Sequence, residues 1–301
     1  MAKYVTPQME RIDLKNKKTK NLDYSFWREA WKRIKRNRTG MLGMYIIILL
    51  ILVAIFAQVI SPYSPTAINL RESNQTPSWR HPFGTDELGR DILSRCLAAT
   101  QISLPMGIIG AIASVLFGGA LGLIASFFMG RTDNVIMRIM DVLQAIPPTL
   151  MAITVVATIG VGIFQLLLAM AISALPMFAR TVRSAVLTVR DSEYVEASRT
   201  VGAGIVRLMI RHILPNCAGH IIIFIVSSVA GSIMMISMMS YIGLGIAPPT
   251  PEWGSMLAAG RTYLQSYPHM IIFPGIMIMV TVFAFNLFGD GVRDALDPKM
   301  K

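Results

Sequence analysis

The most unusual stretch of the sequence places charged side chains and glycines between long apolar runs. It reads EYVEASRTVGAGIVRLMIRHILPN, and its charged residues are Glu193, Glu196, Arg199, Arg207 and Arg211. Buried at the centre of a bilayer, these five charges would together cost about 12–18 kcal/mol. The stretch is therefore expected to lie in water or against another protein.

No catalytic motif accompanies these charges. The sequence has no G-x-x-x-x-G-K-[ST] phosphate loop, no H-E-x-x-H, no G-x-S-x-G and no cluster of metal-ligating cysteines. We therefore expect neither an enzyme nor a cofactor or metal held by this chain. The run MMISMMS, from Met234 to Ser240, could offer thioethers to Cu(I). Methionine is also an adaptable filler between packed helices, and packing is the favoured interpretation.

The composition is that of an integral membrane protein. Of 301 residues, 53% are hydrophobic and 15% are charged, whereas a soluble domain has about 25% charged residues. The net charge of +11 would indicate nucleic-acid binding in a soluble protein, but 12 of the 28 Lys and Arg residues precede Gly40 and the first apolar run. Basic residues in that position orient a membrane span, so no nucleic-acid partner is expected.

Six apolar runs predict membrane-spanning helices. The predicted spans are Met41–Ile60, Ile102–Met129, Asn134–Thr158, Ile163–Thr181, Cys217–Gly243 and Met270–Phe288. With the N-terminus inside, 23 of the 28 basic residues lie on the inner side and five on the outer side. This excess predicts an all-α integral membrane protein with cytoplasmic N- and C-termini.

The spans divide the chain into consecutive parts. These are a cytoplasmic basic tail (1–40), a first transmembrane helix (41–60), an external loop (61–101), a five-helix core (102–288) with a cytoplasmic segment (182–216), and a C-terminal tail (289–301). The basic tail contains apolar residues near one face of a helix, namely Phe26, Trp27, Ala30, Trp31 and Ile34. They predict an interfacial helix lying on the lipid of the inner leaflet, with lipid sensing as a less favoured function.

The external loop contains the stretch HPFGTDELGRDILSR. Thr85 is placed to cap a short helix, with Asp86 and Glu87 in its first turn. Asp86 and Arg90 are spaced as an i,i+4 ion pair. The stretch is either a capped helix resting on the membrane face or a docking element for an external partner, and the residues alone favour the first.

Two features inside the spans predict how the helices meet. Gly118-x-x-x-Gly122 permits close approach of a neighbouring helix, and Pro147-Pro148 is expected to kink the third span. At the cytoplasmic entry of that span, Arg138 and Asp141 are expected to form a local ion pair, because they lie about one turn apart.

The cytoplasmic stretch predicts two helices joined by a bend. Ser192 can cap a helix that continues to Val201, and Gly202 and Gly204 then permit a turn that bulkier residues would strain. A second helix is expected from residue 205 until Pro215 interrupts it near re-entry to the membrane. The result would be a rigid projection from the inner face, suited to being moved by a partner.

This stretch resembles the EAA signature of permease subunits in binding-protein-dependent ABC importers. The matching residues are Glu196, Ala197, Ser198, Gly202, Leu214 and Pro215. Two departures occur, because Ser198 stands where the signature has a second Ala and His212 stands where it has Ile. Glu193 precedes these positions, Arg199 and Gly204 lie between them, and all three are included in the predicted ATPase-coupling segment.

Three further stretches resemble the peptide and nickel branch of that family. HPFGTDELGRDILSR is similar to its external-loop signature, and the predicted docking residues are Gly84, Thr85, Asp86, Gly89, Arg90 and Asp91. PPTPEWGSML is similar to its later external loop. FNLFGDGVRDALDPK is similar to its C-terminal tail, with Gly289, Asp290, Arg293, Asp294, Asp297 and Pro298 as the motif residues. The likeness runs from about residue 26 to the end.

The resemblance implies an ABC importer type I permease fold and a division of labour. Two ABC ATPase subunits, which bind ATP and Mg²⁺, would receive the coupling helix. A second homologous permease chain would complete a heterodimer, and an extracytoplasmic solute-binding protein would deliver cargo at a bacterial or archaeal inner membrane. The implied cargo is a di- or oligopeptide, glutathione-like peptides included; nickel or a metal chelate is the alternative. A secondary transporter or channel is less favoured, because ionisable residues are scarce within the spans.

Overall fold

The computed structural model describes residues 28–296, which are predominantly helical. Residues 28–36 form α1. The long helices are α2 (Arg38–Ile60), α3 (Ile92–Phe128), α4 (Gly130–Gln144), α5 (Pro148–Ile159), α6 (Ile163–Arg190), α9 (Leu214–Tyr241) and α11 (His269–Leu296). The short ones are α7 (Glu193–Thr200), α8 (Ile205–Leu208) and α10 (Trp253–Gly260). No strand is formed over this range, where the only ladder pairing is an isolated bridge between Thr85 and Asp91.

Five helices are long and apolar enough to cross a membrane. They are α2, α3, α6, α11 and the continuous stretch Val206–Tyr241 that contains α9. The helices α4 and α5 pass the same test only as a pair, with a bend of 87° between them, which is the geometry of a broken sixth span or of a re-entrant loop. An all-helical protein with up to six spans is therefore confirmed.

The third span is not the single kinked helix predicted over Asn134–Thr158. Residues 145–147 separate α4 from α5, and Pro147 has the extended ψ of 135°. A proline disfavours the helical conformation in the residue before it. Two consecutive prolines therefore move both Ile146 and Pro147 away from the helix, and the span breaks.

Several helices extend beyond the apolar runs that predicted them. α3 begins at Ile92 rather than Ile102, α6 continues to Arg190 rather than Thr181, and α11 continues to Leu296 rather than Phe288. Hydropathy marks only the part of a helix suited to hydrocarbon, whereas the backbone hydrogen bonds continue as long as packing supports them.

The centre of the bundle is the contact between α3 and α6. A Cβ placed on Gly122 would lie 2.1 Å from the carbonyl oxygen of Ala179, and one on Gly118 would lie 2.7 Å from Cβ of Phe178. The close approach predicted from the Gly118-x-x-x-Gly122 pattern is thus present. It fixes α3 and α6 against each other along their inner halves.

The N-terminal helix packs against the other end of the chain. Ala30 and Ile34 are buried in a cluster with Val292, Ala295 and Leu296 of α11, while Trp31 remains 45% exposed. Part of the predicted apolar face of α1 therefore packs against α11 rather than against lipid. Phe26 and Trp27, which are predicted to share this face, lie outside the described residues.

The ion pair predicted within the third span forms with different partners. Asp141 pairs with Arg180 of α6 at 2.5 Å rather than with Arg138. About two helical turns before Asp141, Asp133 accepts two hydrogen bonds from Arg183, at 2.7 and 2.6 Å. Tertiary packing brings α4 alongside the inner half of α6, so the interhelical pairs replace the local one.

Candidate functional site

A short helix, α7, stands on the inner end of the bundle. Val195 is its buried residue, at 2% exposure, and belongs to an apolar cluster with residues of five neighbouring elements, namely Phe127, Val182, Val186, Leu208, Ile213 and Cys217. Phe127 belongs to α3, Val182 and Val186 to α6, and Cys217 to α9. A force applied to α7 therefore reaches three membrane-spanning helices through one apolar base.

The opposite face of α7 is polar and open. Glu193, Glu196 and Arg199 are exposed, and within the described range none of the three makes a salt bridge. The glutamates lie in the first turn and the arginine in the last turn, where their charges complement the helix dipole. The predicted motif residues are thus displayed on the surface and stabilise the helix that displays them.

Ser192 occupies the position before α7, as predicted, but its side chain does not cap the helix. Its hydroxyl donates to the carbonyl oxygen of Val189 at 2.5 Å. The backbone carbonyl of Ser192 accepts from the N–H of Glu196 at 3.2 Å and of Val195 at 3.0 Å. Ser192 therefore joins α6 to α7 rather than capping α7 with its side chain.

Gly202 makes the turn that ends α7. Its φ is +82°, its N–H donates to the Arg199 carbonyl at 2.9 Å, and the N–H of Ala203 donates to the Ser198 carbonyl at 3.1 Å. These two bonds are those of a Schellman C-terminal motif, which requires a left-handed residue at this position. The predicted bend is located at Gly202.

Gly204 does not form the bend, contrary to the prediction. It does not adopt a positive φ, and its carbonyl accepts from the N–H of Leu208 at 3.0 Å, which opens α8. A side chain at this position would meet no atom within 4 Å. Its conformation therefore does not require glycine.

An open, mostly apolar depression lies beside this turn. Its volume is about 430 Å³ and its lining is Ala197, Ser198, Val201, Gly202, Ala203, Arg207 and His212. Val201 is 89% exposed at its edge. Apolar side chains presented on a charged, water-facing projection are typical of a surface that binds another protein.

Pro215 does not interrupt the second helix as predicted. Residues Met209–Ile213 form a π-helical turn, in which the N–H of Leu214 donates to the carbonyl of Met209. A proline lacks the amide hydrogen and its ring clashes with the carbonyl four residues earlier. The wider π-turn accommodates it, and the helix continues through exposed Leu214 and Pro215 into α9.

The outer loop is an ordered turn rather than a capped helix. The Thr85 hydroxyl accepts from the N–H of Gln75 at 2.8 Å and donates to the Glu72 carbonyl at 2.5 Å, so it caps nothing. Gly84 and Gly89 have φ of +77° and +70°, and the residues between them form a turn closed by the bridge between Thr85 and Asp91 rather than a helix. The residue that caps a helix here is Asp91, whose carboxylate accepts from the N–H of Ser94 in α3 at 2.8 Å.

The six predicted docking residues of this loop are all buried or half-buried within the chain. The Asp86–Arg90 pair forms as predicted, at 2.6 Å, although it closes a turn rather than bracing a helix. Asp91 also faces the His81 ring, with 2.9 Å between Oδ1 and Nδ1. These side chains shape the loop, so any effect of theirs on an external partner would be exerted through its conformation.

Exposed apolar residues on the same loop were missed from the sequence. Trp79 is fully exposed, and Ile68 and Leu70 are 61% and 68% exposed. The only signal was a tryptophan within the polar stretch TPSWRHP. Tryptophan is among the residue types most often found as anchors in protein interfaces.

The C-terminal motif holds the end of α11 against the N-terminal part of the chain. Asp294 accepts from the side-chain amide of Asn37 at 2.9 Å, and Gly289 lies against Ser227 of α9. Asp290 and Arg293 are exposed. Asp297 and Pro298, the remaining motif residues, lie outside the described range.

Comparison with known families gives the assignment. A family model described as the inner membrane component of binding-protein-dependent transport systems matches residues 114–301, more than half of the chain. This chain belongs to that permease family. A second model, described as the N-terminal transmembrane domain of oligopeptide transport permease C, matches residues 25–77 of the permease. The permease is therefore a multi-pass inner-membrane transport component and not an enzyme.

Similar proteins cover nearly the whole permease. It is 44% identical over 276 residues to proteins named glutathione transport system permease protein GsiD from Escherichia coli O6:K15:H31 and Shigella boydii serotype 4, over 91% of both chains. The identity to the protein of the same name from Pectobacterium atrosepticum is 43%, over 91% of this chain and 92% of that one.

Two solved structures share the fold of the permease. An inward-facing structure of the MetNI methionine ABC transporter matches with a TM-score of 0.53 at 16% identity, over 64% of this chain and 92% of that one. An amino acid ABC transporter matches with a TM-score of 0.53 at 15% identity, over 66% and 92%. The predicted ABC importer type I permease fold is confirmed.

Proposed function

We propose that this permease carries di- or oligopeptides into the cell as part of an ATP-driven importer, with glutathione as the first cargo to test. The supporting observation is the 44% identity, over 91% of both chains, to permeases named for glutathione transport. The match of the N-terminal segment to the oligopeptide permease C model supports the same branch. Nickel, the alternative cargo, is not favoured by these relatives.

The proposed assembly contains three further kinds of component. A second, homologous permease completes a heterodimeric pathway, two ABC ATPase subunits bind ATP and Mg²⁺, and an extracytoplasmic solute-binding protein delivers the cargo. The α7 projection (residues 193–204) is proposed as the element that the ATPases move. Its exposed charges and the open depression around Val201 and Gly202 supply a surface for them.

The geometry of the α7 projection supports this role. A coupling element has to be stiff, since a flexible loop would absorb the displacement instead of transmitting it. The Schellman bonds at Gly202 fix one end of α7, and Val195 anchors its underside in the apolar cluster that contains residues of α3, α6 and α9. Movement of the ATPases would therefore shift the inner ends of these helices relative to one another and change access to the pathway.

Reconstitution tests the proposal. The permease is co-expressed with the second permease, the ATPase subunits and the binding protein of the proposed assembly, purified as a complex and placed in proteoliposomes. Uptake of labelled glutathione, a dipeptide, a longer peptide and Ni²⁺ is then measured with and without ATP and binding protein. We expect peptide uptake that requires both. Uptake of Ni²⁺ alone, or peptide uptake independent of ATP, would contradict the proposal.

A further inference from the structure

The connection between α9 and α11, on the outer side, inserts two large side chains into the bundle. Trp253 and Glu252 are both fully buried. The indole N–H of Trp253 donates to the carbonyl of Cys96 in α3 at 3.1 Å, and its ring packs in a cluster with Ile92, Ala99, Met256 and Met270. Trp253 therefore closes the outer end of the bundle between α3 and α11.

Glu252 bridges α10 to α3. Its carboxylate accepts from the N–H groups of Gly254 and Ser255, each at 2.8 Å, and from the hydroxyl of Ser103 in α3 at 3.4 Å. The same hydroxyl accepts from the backbone N–H of Trp253 at 3.3 Å. Shorter residues are the usual helix caps. The longer glutamate reaches a second helix while it caps α10.

The third element at this point is α9, which contributes hydroxyls without partners. Ser237 and Ser240 are 6% and 3% exposed, and neither hydroxyl has a hydrogen-bond partner within the described structure. The Ser240 hydroxyl lies close enough to the Glu252 carboxyl to help lower its pKa, although the geometry of the two groups falls short of a full hydrogen bond. α9 and α10 are nevertheless in contact, because a Cβ on Gly254 would lie 2.4 Å from the Ser237 carbonyl.

Burying the Glu252 carboxyl and the α9 hydroxyls costs free energy. Burial raises the pKa of Glu252 despite its hydrogen bonds, and over residues 28–296 no Lys, Arg or His forms a salt bridge with it. A buried carboxylate without a counter-charge and two unpartnered hydroxyls would each gain from contact with water. An apolar contact of the same area would not gain in this way.

We infer that the bonds of Ser103 to Glu252 and to the backbone of Trp253 form a releasable latch, the Glu252 latch, which holds the α9–α11 connection against α3 and opens when the pathway opens outward. Ser237 and Ser240 of α9 are the neighbouring hydroxyls that would gain contact with water on opening. Glu252 is then a positioning residue for transport, and the inference rests on the proposed importer function. Trp253 is the part withdrawn from α3 when the latch opens. Its withdrawal exposes Cys96, which is a free thiol and fully buried in the closed arrangement.

Cys96 provides a native reporter for the test. The assembled complex in right-side-out vesicles is treated with a membrane-impermeant maleimide, and modification of the Cys96 peptide is followed by mass spectrometry. We expect slow labelling of the wild type, and at least about fivefold faster labelling after trapping with ATP and vanadate. Ser103→Ala and Glu252→Gln should raise the untrapped rate about fivefold, which corresponds to about 1 kcal/mol, the contribution of one hydrogen bond.

Ser114→Ala is the matched control, because Ser114 is also buried in α3 but its hydroxyl donates only to Gly110 of its own helix. The latch requires that the Ser114 variant label like the wild type. It also requires that Ser103→Ala and Glu252→Gln lower peptide uptake at unchanged assembly and thermal midpoint. Should Glu252→Gln fail to assemble, Ser103→Ala decides alone.

Three results would overturn the latch. They are unchanged Cys96 labelling in the latch variants, equal acceleration in Ser114→Ala, and faster labelling with full uptake. Wild-type peptide uptake separates these outcomes from failure of the proposed function. A wild-type complex that moves no peptide contradicts the importer, whereas normal uptake with unchanged labelling contradicts only the latch.

Discussion

Replacing Gly202 tests whether the turn after α7 has to be rigid. Gly202 has a φ of +82°, and a Cβ added there would meet no atom within 4 Å, so a side chain is penalised by backbone conformation and not by contact. The left-handed conformation costs about 1–2 kcal/mol for an ordinary L-residue, and more for a β-branched one. A cost of about 2 kcal/mol lowers the relative population of the native turn about 30-fold.

The graded series at this position is Asn, Ala and Val. Asn tolerates the left-handed region and should retain most peptide uptake, Ala should reduce it, and Gly202→Val should reduce it at least about fivefold. Gly204→Ala is the matched control two residues later, since Gly204 has no positive φ and an added Cβ meets nothing within 4 Å. The assays are peptide uptake and ATPase stimulation by the binding protein, with membrane insertion measured by immunoblot.

The order of the series is the decisive result. We expect normal insertion throughout and loss of uptake that follows the backbone cost at Gly202. Wild-type uptake in Gly202→Val would refute the need for this turn. Equal loss in Gly202→Asn and Gly202→Val would show that the position matters through its surface and not through its conformation.

Three other predictions concern separate parts of the permease. Glu196→Lys should leave insertion and thermal stability nearly unchanged, because the residue is exposed, but should lower uptake and binding-protein-stimulated ATPase activity; unchanged values for both would contradict its place at the ATPase contact. Asp133→Asn should lower the midpoint of thermal unfolding by a few degrees, because it weakens the two hydrogen bonds from Arg183. Asp141→Asn should lower the midpoint less, because the Asp141–Arg180 pair is more exposed. A larger loss of stability in Asp141→Asn than in Asp133→Asn would contradict this prediction. Trp79→Ala should weaken stimulation of ATPase activity by the binding protein without changing basal activity, since Trp79 is fully exposed on the outer loop; full stimulation at low binding-protein concentration would exclude it as a docking residue.

The sequence predicted features that depend on local conformation and hydropathy. The apolar runs predicted the spans, Gly118-x-x-x-Gly122 predicted the close contact of α3 with α6, and Gly202 was correctly expected at the bend after α7. Each of these three features depends on the residues of a single segment. It can therefore be recognised without knowing which other helix packs against that segment.

The features that failed depend on tertiary partners or on the conformation of several residues together. Asp141 bonds to Arg180 because α4 folds back along α6, which the spacing to Arg138 could not reveal. Thr85 looked like a helix cap, but the left-handed glycines on either side of the turn direct its hydroxyl to the loop backbone. Pro215 looked like a helix end, and the π-turn before it removed the conflict.

The contact between the α7 projection and an ATPase subunit can be measured directly. A photo-crosslinking amino acid is placed at Val201, which is 89% exposed beside the turn, and at Val59 near the outer end of α2, which is 83% exposed. The assembled complex is irradiated without nucleotide and after trapping with ATP and vanadate. We predict an ATPase adduct from position 201 whose yield changes on trapping, and none from position 59. Absence of an ATPase adduct at position 201, or labelling of that position from the outer side of the membrane, would contradict the proposed coupling.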